Sequence, residues 1–179
     1  MNQRFVIVDE FYDKVLLIRK SFLEKGEPPV EEASLKFNQI FGKPVQLTSY
    51  ISSVQLEDCT ETPIMANVEC DWIAVVYLTL PADCVSKKGL SLYRHKKTNL
   101  DSLPDDYVAK MMGIQSVDDV NETFDFFNKD DWEEYSSIFM KYNRCIIIKS
   151  TDWHTYGEGF GNEINNSMMY QTWLIKDGN

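Results

Sequence analysis

Ile64-Met65-Ala66-Asn67-Val68-Glu69-Cys70-Asp71-Trp72-Ile73-Ala74-Val75-Val76-Tyr77-Leu78-Thr79 is the stretch from which the fold is read. From Trp72 to Leu80 it is almost continuously apolar, and Pro81 closes it. A half-solvated strand alternates apolar and polar residues. An unbroken apolar run of this length predicts a central strand covered on both faces. Met65 and Asn67 lie upstream, two residues apart, and on extended backbone that spacing puts both side chains on one face.

Outward from this strand, residues 5–8 read as a short strand, and Phe11, Val15, Ile18 and Phe22 then recur at helical spacing up to Gly26. A second helix is predicted over 31–41, with Ala33, Phe37 and Ile40 on one face and Gly42 as its stop signal. Val45 to Leu56 is rich in β-branched and alternating residues and reads as strand. Between Asn99 and Tyr142 acidic segments dominate, and Asp105–Met112 and Asp130–Phe139 read as helical pieces. Strands resume at Arg144–Lys149 and Met168–Lys176, the second with Tyr170, Thr172 and Leu174 at a two-residue period. Two helices followed by strands, with one helical insertion, predict an α+β fold. No Gly, Ser or Pro tract divides the chain, so residues 1–179 are expected to form a single domain.

Composition excludes several classes. With 44% hydrophobic and 13% aromatic residues in 179, the chain can bury a sizeable core. Its formal net charge of −10 opposes sequence-independent binding of nucleic acid, which needs clustered Lys and Arg to displace counterions. The local basic cluster of Lys87, Lys88 and Arg94–Lys97 reads as a solvated loop. No apolar run approaches the roughly 20 residues of a membrane helix. The N-terminus lacks the layout of a signal peptide, and a cytoplasmic protein is expected. Cys59, Cys70, Cys84 and Cys145 have no C-x-x-C spacing, which favours buried thiols over disulfides or zinc. Gly157-Glu158-Gly159-Phe160-Gly161 lacks the Lys-Ser/Thr ending of a phosphate loop, and there is no G-x-S-x-G elbow.

Several segments resemble, in order, those of the iron(II)/2-oxoglutarate-dependent oxygenases. Asp71-Trp72-Ile73-Ala74-Val75-Val76-Tyr77-Leu78 is similar to the strand that follows the H-x-D metal motif of the prolyl-hydroxylase-like branch. Gly89-Leu90-Ser91-Leu92-Tyr93-Arg94-His95-Lys96-Lys97-Thr98 resembles a G-G-T-x-F-Y-R-H-x-x-T-G segment of a branch common in phages and bacteria. Lys141-Tyr142-Asn143-Arg144-Cys145-Ile146-Ile147-Ile148-Lys149-Ser150, followed by His154, resembles the strand leading to the second metal histidine. Phe160-Gly161, Met168–Ile175 and the opening Val6–Tyr12 complete the set, which covers most of the chain. The resemblance implies a double-stranded β-helix, a jelly-roll-like cupin barrel of two facing sheets, with N-terminal helices.

On that registration the H-x-D positions carry Met65 and Asn67, the second histidine position is His154, and the co-substrate arginine position carries Met168. A thioether is soft and neutral, and an Asn oxygen brings no negative charge, so the iron(II) ligand set is degenerate. Lys149, Arg94 and Arg144 are the alternative sources of a carboxylate-binding cation, and His154, Asp71 and His95 form an alternative metal set. The resemblance thus implies an oxygenase-like domain with no catalytic residues, no metal and no cofactor. It would serve as a protein-binding or structural module among other protein subunits, in a phage virion or its assembly. The alternative is an active hydroxylase using iron(II) and 2-oxoglutarate through atypical ligands. The expected contact residues are aromatic: Phe126, Phe127 and Trp132 in the insertion, with Phe124 beside them, and Trp173 near the C-terminus.

Overall fold

The structure is a computed structural model, and it describes residues 5–58, 62–84 and 87–178. The chain runs through β1 (Phe5–Val8), α1 (Val15–Lys25), α2 (Val30–Phe41), β2 (Val45–Gln55), β3 (Trp72–Tyr77) and β4 (Lys88–His95). It continues through α3 (Asp106–Met111), α4 (Val117–Thr123), β5 (Trp132–Phe139), β6 (Cys145–Lys149), β7 (His154–Thr155) and β8 (Met168–Asp177). The strands form two antiparallel sheets, one of five strands in the order β1-β6-β3-β8-β2 and one of three in the order β5-β4-β7.

β3 lies at the centre of the larger sheet, between β6 and β8. Ala74 and Val76 point toward the helical layer, where Ile18 and Phe22 of α1 and Ala33 and Phe37 of α2 cover them. Ile73, Val75 and Tyr77 point the other way, onto Leu90 and Leu92 of β4 and Ile138 of β5. Both faces of the strand are therefore dry, and its apolar run is unbroken. The strands read from Trp72–Leu80, Arg144–Lys149 and Met168–Lys176, expected as core strands of two opposed sheets, are β3, β6 and β8, and all three lie side by side in this one sheet. α1 and α2 each end on a glycine at φ 67°, Gly26 and Gly42, a left-handed conformation that costs glycine nothing. Among the described residues, no helix is long and apolar enough to cross a membrane.

Asp130–Phe139 corrects the expectation of a helix. Lys129–Asp131 form one 3-10 turn, capped by Asn128, and the chain then enters β5. The acidic residues Glu133 and Glu134 are exposed on an edge strand, while Trp132 and Ile138 are buried. Cross-strand pairing to β4, with Glu133 opposite Arg94, outweighs the local helical composition. Gly89 in β4 is required by contact: a Cβ there would sit 2.8 Å from Ile138 O and 3.0 Å from Tyr77 Oη. Cys70, Cys84 and Cys145 are buried free thiols, and Cys59 lies outside the described residues.

Asn143 joins the layers. Its Nδ2 donates to Tyr12 O and its Oδ1 accepts from Tyr12 N, both at 2.9 Å, so the side chain imitates a strand partner for the segment entering α1. Its own N–H donates to Tyr77 O at 2.8 Å, and Phe11 N–H donates to its carbonyl at 3.0 Å. Its φ of 62° is the left-handed conformation that Asn tolerates better than most residues. Next to it, the Arg144 guanidinium grips Asp9 through Nε and Nη2 at 2.7 and 3.1 Å, which holds the Asp9 carboxyl well below the usual range.

Asn143→Ala strands a buried N–H and C=O of Tyr12 and puts a β-carbon residue at positive φ. The expected loss is about 3 kcal/mol, seen as a lower urea midpoint at an unchanged m-value, whereas Asn143→Asp keeps the acceptor and loses less.

Candidate functional site

Met65 and His154 meet across an isolated antiparallel bridge. Met65 N–H donates to His154 O at 2.8 Å, and His154 N–H returns the bond to Met65 O at 2.9 Å. In such a reciprocal pair the Cα atoms are about 5.5 Å apart and both side chains rise from one face. On its other flank His154 pairs with Leu92 of β4, whose side chain lies in the layer between the sheets. The positions aligned with the two metal histidines are thus cross-strand neighbours, His154 buried and Met65 half-buried.

The His154 ring is fixed by one bond, Nδ1 to the Asp152 carbonyl at 2.8 Å. A carbonyl only accepts, so Nδ1 carries the proton and Nε2 presents a bare lone pair. That Nε2 is buried and has no hydrogen-bond partner among the described residues. Burial pushes the imidazole pKa down to about 4, so the ring is neutral at physiological pH. Such a tautomer, locked by a backbone carbonyl, suits a ligating imidazole.

The surroundings supply little else for a metal. Asn67 N–H donates to Ser150 O at 2.7 Å, and Asn67 Oδ1 accepts from Glu69 N–H at 2.6 Å, which closes a local turn. Beside His154, Tyr156 packs at 5.1 Å between ring centroids, and Tyr156 packs in turn on Tyr170 at 5.3 Å. Tyr77 Oη donates to Tyr156 O at 3.0 Å. Burial raises the pKa of Tyr77 and Tyr156, keeping these phenols neutral. Met168 is fully buried in the cluster that contains Tyr77 and Tyr170, with Tyr156 packed against it.

The alternative cations and ligands are engaged elsewhere. Lys149 Nζ lies 3.5 Å from the Trp72 ring centroid, Arg94 stacks on Tyr135 and pairs with Glu133, and Arg144 holds Asp9. Asp71 Oδ2 accepts from Asp177 N–H at an exposed position. His95 packs between Phe124 and Trp132 at 4.9 and 5.0 Å, with Nδ1 on Thr98 Oγ1. The structure therefore does not gather His154, Asp71 and His95. Among the described residues, no group of three or more His, Cys, Asp or Glu side chains is placed to hold a metal ion. One imidazole, one thioether and one turn-bound amide do not fit iron(II), which takes imidazole nitrogens together with a carboxylate.

The expected aromatic surface needs correction. Trp132 is 4% exposed, with Nε1 donating to Asp125 O, and it packs with Phe124 and Trp153. Trp173 is 1% exposed and lies between Phe37 and Tyr50. Both tryptophans are structural, because the insertion and the helices close over them. Phe127, 69% exposed, and half-buried Phe126 remain, and they line an apolar cleft of about 450 Å³ with Ile64, Met65, Val68 and Trp153. The tyrosine stack escaped the sequence reading, although Tyr156 follows His154 by two residues and so shares its face.

Neutral burial of His154 has a pH signature. The unfolded imidazole titrates near 6.5 and the folded one near 4, so the unfolded state binds the extra proton between these values. The contribution is fully present above pH 6.5 and is lost as pH falls toward 4, by about 3 kcal/mol in all. His154→Asn keeps a donor for Asp152 O, and its urea midpoint should vary less between pH 7 and pH 4.5 than that of the native chain. Asp9 acts in a separate, lower window, where its depressed pKa withdraws stability only as pH falls below the ordinary carboxylate range.

No known family profile and no curated protein matches the sequence. Solved structures do match its fold. SnoN, a non-heme α-ketoglutarate-dependent epimerase from nogalamycin biosynthesis, is 11% identical with a TM-score of 0.53 over 97% of this chain and 78% of its own. SnoK, a carbocyclase of the same biosynthesis, gives 12%, 0.51, 98% and 80%. HygX from Streptomyces hygroscopicus, solved with nickel and 2-oxoglutarate bound, gives 9%, 0.52, 96% and 81%. At these identities the likeness is one of fold: the chain shares its architecture with non-heme α-ketoglutarate-dependent enzymes.

Proposed function

We propose that this chain is a double-stranded β-helix of the 2-oxoglutarate oxygenase type that has given up catalysis and serves as a protein-binding or structural module. The observation that carries this reading is the donor set around His154. A single neutral imidazole faces the interior, its cross-strand neighbour is the thioether of Met65, and the oxygen of Asn67 is spent on Glu69 N–H. The Tyr156 ring packs beside the imidazole and in turn on Tyr170, and the position aligned with the cation of the co-substrate clamp carries the thioether of Met168.

The same reading assigns function to contact with other protein subunits, and the phage-like segments favour a virion or its assembly as the setting. Phe126 and Phe127, at the mouth of the apolar cleft, are the contact residues the fold leaves outside. A second reading, an active hydroxylase with atypical ligands, is favoured by one feature: the unpartnered lone pair of His154 Nε2 is what a metal would seek.

Anaerobic loading with iron(II), followed by metal analysis and a 2-oxoglutarate decarboxylation assay, separates the two. The inactive reading expects no stoichiometric iron and no turnover. About one iron per chain, lost in His154→Ala, would sink that reading and establish the hydroxylase.

A further inference from the structure

β2 is the outer strand of the larger sheet, and no described segment pairs with its free edge. Its sequence, Val-Gln-Leu-Thr-Ser-Tyr-Ile-Ser-Ser-Val-Gln, has eleven residues and contains neither a charge nor a proline. Such a strand is about 35 Å long and turns every second backbone N–H and C=O outward. Long edges are ordinarily blunted by Lys, Glu, Pro or brevity. The other edges of this protein obey that rule: β1 has four residues, β7 has two, and β5 carries exposed Glu133 and Glu134. In a chain where 26% of residues are charged, only the longest edge is left unguarded.

We infer that β2 pairs with β2 of a second copy of this chain, antiparallel, to join two five-stranded sheets into one across a two-fold axis. The pairing with β8 fixes which side each residue faces. Leu47, Tyr50, Ser52 and Val54 lie opposite Ile175, Trp173, Gln171 and Met169, on the helical side. Ser49, Ile51 and Ser53 lie opposite Leu174, Thr172 and Tyr170, on the side of the smaller sheet. An axis through Tyr50 sets Tyr50 against its symmetry mate and Ile51 against Ser49, each pair on one face. Both copies carry the bulge between Leu47 and Ser49, and beyond it Ser52 meets Leu47, again on one face.

Two observations fit a second copy at this edge. Copies that each carry a net charge of −10 repel wherever acidic surfaces meet, and β2 is the edge where self-pairing opposes no like charges. Alongside the strand, Val30, Leu47, Tyr50 and Trp173 line a groove of about 320 Å³ on the helical side. The mate of Tyr50 rises on that same side, and Tyr50 and Ile51 are 45% and 55% exposed until such a partner covers them. The ladder ends at Val45, whose N–H is already taken by Asn38 Oδ1.

Sedimentation velocity of the full chain over a concentration series tests this, with Ile51→Lys and Tyr50→Cys as variants. The native chain should sediment as a dimer, and Ile51→Lys, at an exposed position, should weaken dimerisation about tenfold or more while its circular dichroism spectrum stays that of the native fold. Tyr50→Cys, in a Cys59→Ser background, should cross-link to itself under mild oxidation, because residues facing across an antiparallel pair lie within disulfide reach. Tyr107→Cys, exposed and on α3, is the control that should not cross-link. A monomer at every concentration overturns the inference and leaves the edge to a foreign strand. A dimer indifferent to Ile51→Lys, or one in which Tyr50→Cys cross-links no better than Tyr107→Cys, overturns it as well.

Discussion

The structure depends on β3 being covered on both faces. Its backbone is bonded to β6 on one side and β8 on the other, so the register of both neighbours is referred to it. Ala74 and Val76 must then meet helices and Ile73 and Val75 must meet a sheet, since a one-residue slip would exchange the two sets. The small residue goes where Phe11, Phe37 and Trp173 crowd the helical layer, and the branched residues go where the sheets face each other. Just past the end of β3, Leu78 still packs under α1, and Tyr77 O receives the Asn143 N–H that ties in the turn before β6.

That scaffold also decides what the interior can do. β7 has only two residues, yet its place between β4 and the Met65 segment fixes His154 in position and face. The Asp152 carbonyl then sets the tautomer. A buried acceptor without a partner costs about 1–3 kcal/mol, and the fold carries that cost at His154 Nε2. The Tyr156 ring packs beside the imidazole at 5.1 Å between centroids, and no hydrogen bond reaches Nε2. The side chains packed about the His154 ring, Tyr156 and, behind it, Tyr170, are phenols, and the cross-strand neighbour Met65 is a thioether.

What was legible in the sequence follows from how local each cause is. The apolar run of β3, the helical spacing of Ile18 and Phe22 and the stops at Gly26 and Gly42 are properties of adjacent residues, and the structure places them where the pattern does. β5 was not legible. Its Glu133 and Glu134 look helical until Arg94 on β4 is set opposite them, and that pairing spans about forty residues of chain. Trp132 and Trp173 fail as surface residues for the same reason: an aromatic side chain reads alike in a core and in an interface until its neighbours are known. At the site, the two-residue spacing of Met65 and Asn67 was visible. The turn that consumes the Asn67 oxygen depends on Glu69 N–H bending back, which strand periodicity does not encode.

The edges of the two sheets complete the physical picture. A sheet protein must dispose of its outer N–H and C=O groups, and three of the four edges here do so by their own means. β5 uses carboxylates and the fork of Arg94 on its neighbour, and β7 is protected by the Met65 bridge. β1 is short and clamped at its end, where Asp9 receives both Arg144 and Lys141. β2 has none of these devices, and its polar residues are Ser, Thr and Gln, which solvate an edge without repelling another strand. The choice of uncharged polar residues keeps such a strand soluble while leaving its backbone free to pair, and charge elsewhere on the surface limits which strand can approach.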